Sequence, residues 1–147
     1  MKYGAKQEQE LMTEIWSLNI KDSPLNFVKF VFPWGQEGTP LEDFDGPRSW
    51  QEKILRDIGD HIARNQVRDM PEMFRQAIAS GRGIGKSALV SWLILWMLST
   101  RLGSTIIVTA NTEQQLRSRT WAELGKWLTL AINSHWFQKT ATTIKPA

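Results

Sequence analysis

The chain has 147 residues, 41% of them hydrophobic and 22% charged, with 18 Lys+Arg against 15 Asp+Glu and no cysteine. That size and apolar fraction suit one compact core, and they exclude a large multidomain enzyme and a wholly disordered chain. The missing cysteine excludes disulfide scaffolds, thiol nucleophiles and sulfur-ligated metal sites, and two histidines, His61 and His135, are too few for a histidine cluster.

The charge is uneven. Residues 1–75 carry 10 Lys+Arg against 13 Asp+Glu, whereas residues 76–147 carry 8 against 2. An anionic ligand is therefore to be sought in the second half, although a solvated basic surface is the simpler reading of any one of these residues. The longest apolar run, 88–98, is interrupted only by Ser91 and is well short of the roughly 20 residues that a membrane span needs. With no signal-peptide pattern at the N-terminus, a cytoplasmic protein with no membrane partner is expected.

In chain order, Leu11, Met12, Ile15 and Trp16 recur at helical spacing and predict a helix over about 6–18. Ser23-Pro24 supplies an N-cap and first-turn proline for a short helix through Phe27, Val28 and Val31. Residues 38–47, rich in Gly, Pro and Asp, read as an exposed loop. Ser49 with Glu52 forms an expected capping box for a helix to about Asn65, with Trp50, Ile54, Ile58 and Ile62 on one face.

Residues 73–79 end, on this reading, as a strand, and 86–98 form a helix apolar nearly all round. The Leu102-Gly103-Ser104 break precedes a β-branched run, 105–109, read as a second strand. Thr112 and Gln115 then cap a long helix expected to reach about Ser134, marked by Leu116, Trp121, Leu124, Trp127, Leu128 and Ile132. The tail after Trp136 is undetermined by its pattern.

The segment with chemistry is Ser80-Gly81-Arg82-Gly83-Ile84-Gly85-Lys86-Ser87, set between an expected strand and an expected helix. This is the context of a P-loop, in which glycines let successive N–H groups turn toward phosphate oxygens and the following helix adds its positive dipole end. Lys86 would reach the β- and γ-phosphates of ATP and the Ser87 hydroxyl would ligate Mg²⁺. The strict pattern has Gly where this chain has Ser80. The alternative is a glycine turn feeding a helix with a chance Gly-Lys-Ser.

From about residue 24 onward the chain resembles the N-terminal part of the large terminase subunit of tailed double-stranded-DNA bacteriophages, the motor that packages the genome. Three features carry the resemblance: Phe32-Pro33-Trp34-Gly35, Gly46-Pro47-Arg48-Ser49-Trp50-Gln51, and the P-loop with Arg82. It implies an α/β fold of the P-loop NTPase (ASCE/RecA-like) class, here with an incomplete sheet, a helical N-terminal segment over 1–48 and a partial ATPase domain over 49–147. It also implies that Gln51 belongs to an adenine-recognition motif, a role that suits an amide's paired donor and acceptor. Arg82 is implied as a γ-phosphate contact or sensor, for which a guanidinium is well shaped. Without the P-loop, Gln51 would be only a polar residue in a helix's first turn, and Arg82 an exposed base.

The family's partners would be double-stranded viral DNA, the portal and the small terminase subunit, in the bacterial host cytoplasm. Hydrolysis in such motors needs a strand ending in an acidic pair. No Asp follows Asp69, and the downstream carboxylates are Glu113 and Glu123, both expected on the last helix. The family's nuclease domain has no room here. The expectation is an ATP-binding chain with little or no turnover, marginally stable or self-associating because of its incomplete sheet. Two rivals are a prophage gene remnant that binds nothing and another P-loop protein, helicase-like or a small nucleotide kinase. Arg117, Arg119 and Lys126 are weaker candidates for DNA phosphates, and most of the eight tryptophans are expected in the core.

Overall fold

The computed structural model describes residues 4–67, 70, 72–78 and 85–147. Helix α1 runs Ala5–Ile15 and stops at the Trp16 cap, shorter than its apolar spacing suggested. The single turn α2 (Leu18–Lys21) leads to α3 (Pro24–Val31), where Ser23 Oγ accepts from the Asn26 N–H at 3.2 Å and Pro24 sits in the first turn, as expected. Helix α4 spans Ser49–Asn65 and α5 spans Lys86–Thr100.

One expected cap is in a different frame. The N-cap of α4 is Arg48, and its backbone N–H donates to Gln51 Oε1 at 2.8 Å. Glu52, assigned to the box from its spacing with Ser49, instead meets Arg56 Nη2 at 2.9 Å and Lys29 Nζ at 3.4 Å.

The expected long last helix is broken into three pieces. The turn α6 (Glu113–Gln115) begins under the expected cap, with Gln115 N–H donating to Thr112 Oγ1 at 3.1 Å. A π-helical stretch, Leu116–Trp121, follows and passes into α7 (Ala122–Leu130). The helix ends there because Ala131 turns to extended backbone, with ψ 137°. A 3₁₀ turn, Ser134–Trp136, leads to an antiparallel hairpin of β1 (Phe137–Lys139) and β2 (Ile144–Pro146), pairing Phe137 with Pro146 and Lys139 with Ile144.

Among the described residues neither expected strand joins a sheet. Residues 72–78 and 105–110 are neither helix nor strand, Ala79 lies outside the described residues, and the one ladder among the described residues is β1–β2. A strand is defined by its partner's hydrogen bonds, and among the described residues no ladder includes either segment. Side-chain alternation persists without the ladder, since Ile106 and Val108 pack on the core while Ile107 is 82% exposed.

Helix α5 is the centre of the core. Leu89, Trp92 and Leu95 are fully buried among Phe27, Val28 and Val31 of α3 and Leu124, Trp127 and Leu128 of α7, with Ile54 and Leu55 of α4 in the same cluster. The core therefore runs without interruption across the boundary expected between residues 48 and 49. Indole N–H groups tie its rim, Trp16 donating to Ser99 O and Trp96 to Lys21 O, each at 2.9 Å. Arg101 closes the same edge, donating to Lys21 O at 2.7 Å and pairing with Asp22 at 3.0 Å while lying over the Trp96 ring.

Candidate functional site

Gly85 is the N-cap of α5 and has φ +91°, a left-handed conformation that an L side chain would strain. Its carbonyl accepts the first helical bond, from Leu89 N–H at 3.1 Å, and a second bond from Gln51 Nε2 at 2.8 Å. A Cβ at residue 85 would run into that same amide nitrogen. The side chain of Gln51 thus fits against the backbone of the motif's last glycine, and the two segments need each other's shape.

Gln51 is 3% exposed. Its oxygen accepts from Arg48 N–H and its nitrogen donates to Gly85 O, so one acceptor site and one N–H of the amide are already engaged with main chain. One acceptor site and one N–H of the amide remain beyond those two bonds. Lys86, the first residue of α5, is exposed, and Ser87 is half-buried. The remaining expected loop residues, Ser80, Gly81, Arg82, Gly83 and Ile84, lie outside the described residues.

Beside Gly85 and Ser87 opens a cleft of about 420 Å³. Its walls come from three places: the loop before α4 (Trp34, Leu41, Phe44 and Arg48), α4 and α5 (Gln51 and Trp92), and α7 (Glu123, Lys126 and Trp127). The loop holds its shape by main-chain bonds, Gly35 N–H and Phe44 N–H both donating to Leu41 O, and by Trp34 Nε1 donating to Val28 O at 2.9 Å. Trp34, Trp92 and Trp127 pack against one another with ring centroids 5.2–5.9 Å apart. Trp92 is 2% exposed, and its indole N–H is the one buried side-chain polar atom among the described residues without a hydrogen-bond partner.

Among the described residues the charged groups at the cleft are Arg48, Lys126 and Glu123; Glu123 Oε1 accepts from Trp127 Nε1 at 3.0 Å. Sequence reasoning passed over Phe44, named Lys126 only as a weaker candidate for DNA phosphates, and placed Trp127 only as a helix position. Loop residues 38–47 have no period to reveal which side chain turns inward, and the approach of α7 to Gly85 is a tertiary fact.

Other expected candidates are not brought to this place. His61 meets the Glu72 carbonyl at 2.8 Å and stacks edge-on to Phe74, which is a structural role, and His135 meets Glu8 at 2.7 Å. Arg117 pairs with Glu113 at 2.7 Å. Among the described residues no cluster of three metal-ligating side chains occurs, and no helix is long and apolar enough to cross a membrane. Comparison with known proteins finds no matching family model, no similar curated protein and no similar solved structure.

Proposed function

We propose that this chain is the nucleotide-binding, N-terminal portion of a DNA-packaging ATPase of the large-terminase type, built on a partial P-loop α/β domain. The supporting observation is the 2.8 Å hydrogen bond from Gln51 Nε2 to Gly85 O. It joins, across 34 residues, two of the three sequence features on which the resemblance rests.

In this proposal the phosphates of ATP lie at the N-terminus of α5, where Lys86 supplies charge and Ser87 a hydroxyl for Mg²⁺, with Gly81, Arg82, Gly83 and Ile84 completing the loop. The described end of the motif suits phosphate binding, because Gly85 holds the left-handed turn that lets α5 begin there and Lys86 is exposed. Gln51 fixes the loop's exit, and its amide keeps one acceptor site and one N–H beyond those bonds for adenine. Viral double-stranded DNA, the portal and the small terminase subunit follow as partners, and the host cytoplasm as location, from the resemblance alone.

Turnover is expected to be slight. Of the two carboxylates downstream of the P-loop, Glu113 pairs with Arg117 and Glu123 holds the Trp127 indole, and neither stands at the end of a sheet strand. Calorimetric titration with Mg²⁺-ATP, run with a phosphate-release assay, tests the proposal. Saturable binding that Lys86→Ala removes, with little phosphate released, is expected. Binding unchanged in Lys86→Ala, or none by the native chain, would overturn it, the latter in favour of a remnant that binds nothing.

A further inference from the structure

We propose that residues 105–109 are a dimer interface, in which the segment pairs antiparallel with the same segment of a second copy about a two-fold axis at Ile107. This does not rest on the nucleotide-binding reading. It gives the expected self-association a place, a register and a symmetry.

The main chain of this segment has bonding capacity to spare. Among the described residues no N–H or C=O group of 105–110 takes part in a hydrogen bond. Such groups must meet water, and a row of them is a template for another strand. The side chains already alternate as a strand's do, with Ile106 and Val108 packed on the core and Thr105, Ile107 and Thr109 exposed. Anchored on that side, the segment loses little further freedom on pairing.

The order of residues selects a second copy as the partner. Thr105-Ile106-Ile107-Val108-Thr109 reads nearly the same in both directions. Antiparallel pairing centred on Ile107 sets Thr105 opposite Thr109, Ile106 opposite Val108, and Ile107 opposite its own counterpart. Each is a β-branched pair of a kind that stabilises sheets. The two cores then lie on one face of the joined strands, whereas a slip of one residue would set core-facing side chains against exposed ones. Ile107, 82% exposed in one copy, is partly covered by its counterpart.

Charge permits the contact. A formal charge of +3 repels copies in general, but residues 102–112 carry no charged side chain. The flanking charges are met within each copy, Arg101 by Asp22 at 3.0 Å and Glu113 by Arg117 at 2.7 Å. The edge therefore lacks the charges that guard exposed strands. Residues 72–78 differ: they include Glu72 and Arg75, have no self-matching order, and are held at Glu72 by both polar atoms of the Asn65 amide.

The test is analytical ultracentrifugation of the full chain from about 1 µM to 1 mM. One strand pair is a small interface, so a dimer with Kd on the order of 100 µM is expected. Ile107→Lys, altered at a solvent-facing side chain, should keep the native circular dichroism and urea midpoint while weakening the dimer at least about ten-fold. The native chain has no cysteine, so nitroxide labels on Thr105→Cys, Ile107→Cys and Thr109→Cys read the register. The two copies of residue 107 should have Cα atoms about 5 Å apart, against about 14 Å for residues 105 and 109. Spin–spin coupling strongest at 107, and removed by dilution with unlabelled chain, is the expected result.

A monomer throughout the concentration range, or a dimer that Ile107→Lys leaves intact, would overturn the inference. Coupling no stronger at 107 than at its neighbours would overturn the register and the two-fold axis with it. Growth beyond two copies would do the same, since it requires 105–109 to meet a different segment head to tail.

Discussion

At residue 85 a single methyl group would act on two segments at once. The left-handed φ of Gly85 strains any other side chain, and a Cβ there collides with the amide that Gln51 extends from α4. Gly85→Ala is expected to destabilise the fold by about 1–3 kcal/mol, read as a lower urea midpoint with an unchanged m-value. Gln51→Ala acts from the other side, removing the partner of Arg48 N–H and one partner of Gly85 O. A loss of about 2 kcal/mol by the same measurement is expected, and a change below about 0.5 kcal/mol would show that water replaces the amide. The sequence marked Gln51 and Gly85 individually, but not their contact. It also placed the α4 cap one residue late, because Ser49/Glu52 and Arg48/Gln51 share the same spacing. What separates the two frames is non-local: Gln51 turns inward toward Gly85, while Glu52 faces Arg56 and Lys29.

At the scale of elements, local information sufficed for α3, α4 and α5 and not for the last helix or the strands. Apolar period, the Ser23 and Thr112 caps, and the Gly103 break with φ +77° all act within a few residues, and α3, α4 and α5 lie close to where they were expected. A strand needs a partner from elsewhere in the chain, and residues 105–109 have the side-chain pattern without one. The alternation gives a direct check. Ile106→Ala should cost about 1–2 kcal/mol, being packed on the core, whereas Ile107→Ala should stay within about 0.5 kcal/mol, both by urea unfolding. Equal effects would contradict the observed facing of this segment. The π-helical stretch before α7 and the hairpin were not legible either. They meet through Trp121, whose indole donates to Thr140 O at 2.8 Å, a contact without any local signature.

At the scale of the whole molecule, one core joins the N-terminal helices to the rest. Trp16, Trp96 and Arg101 fasten residues 16–22 to the C-terminal end of α5. Arg101→Ala removes an ion pair, a carbonyl contact and a ring contact together, and is expected to cost about 1–3 kcal/mol. The same continuity predicts that far-ultraviolet circular dichroism and tryptophan fluorescence report a single coincident urea transition, and two separated transitions would place a domain border inside the chain. The most direct test of the central claim, that this fold binds a nucleotide through its P-loop, is thermal unfolding with and without Mg²⁺-ATP. A cooperative transition whose midpoint rises by about 5–10 °C at a ligand concentration about a hundred times Kd, with no rise in Lys86→Ala, is the expected result. A native chain whose midpoint does not move with Mg²⁺-ATP, or a rise that Lys86→Ala retains, would contradict it.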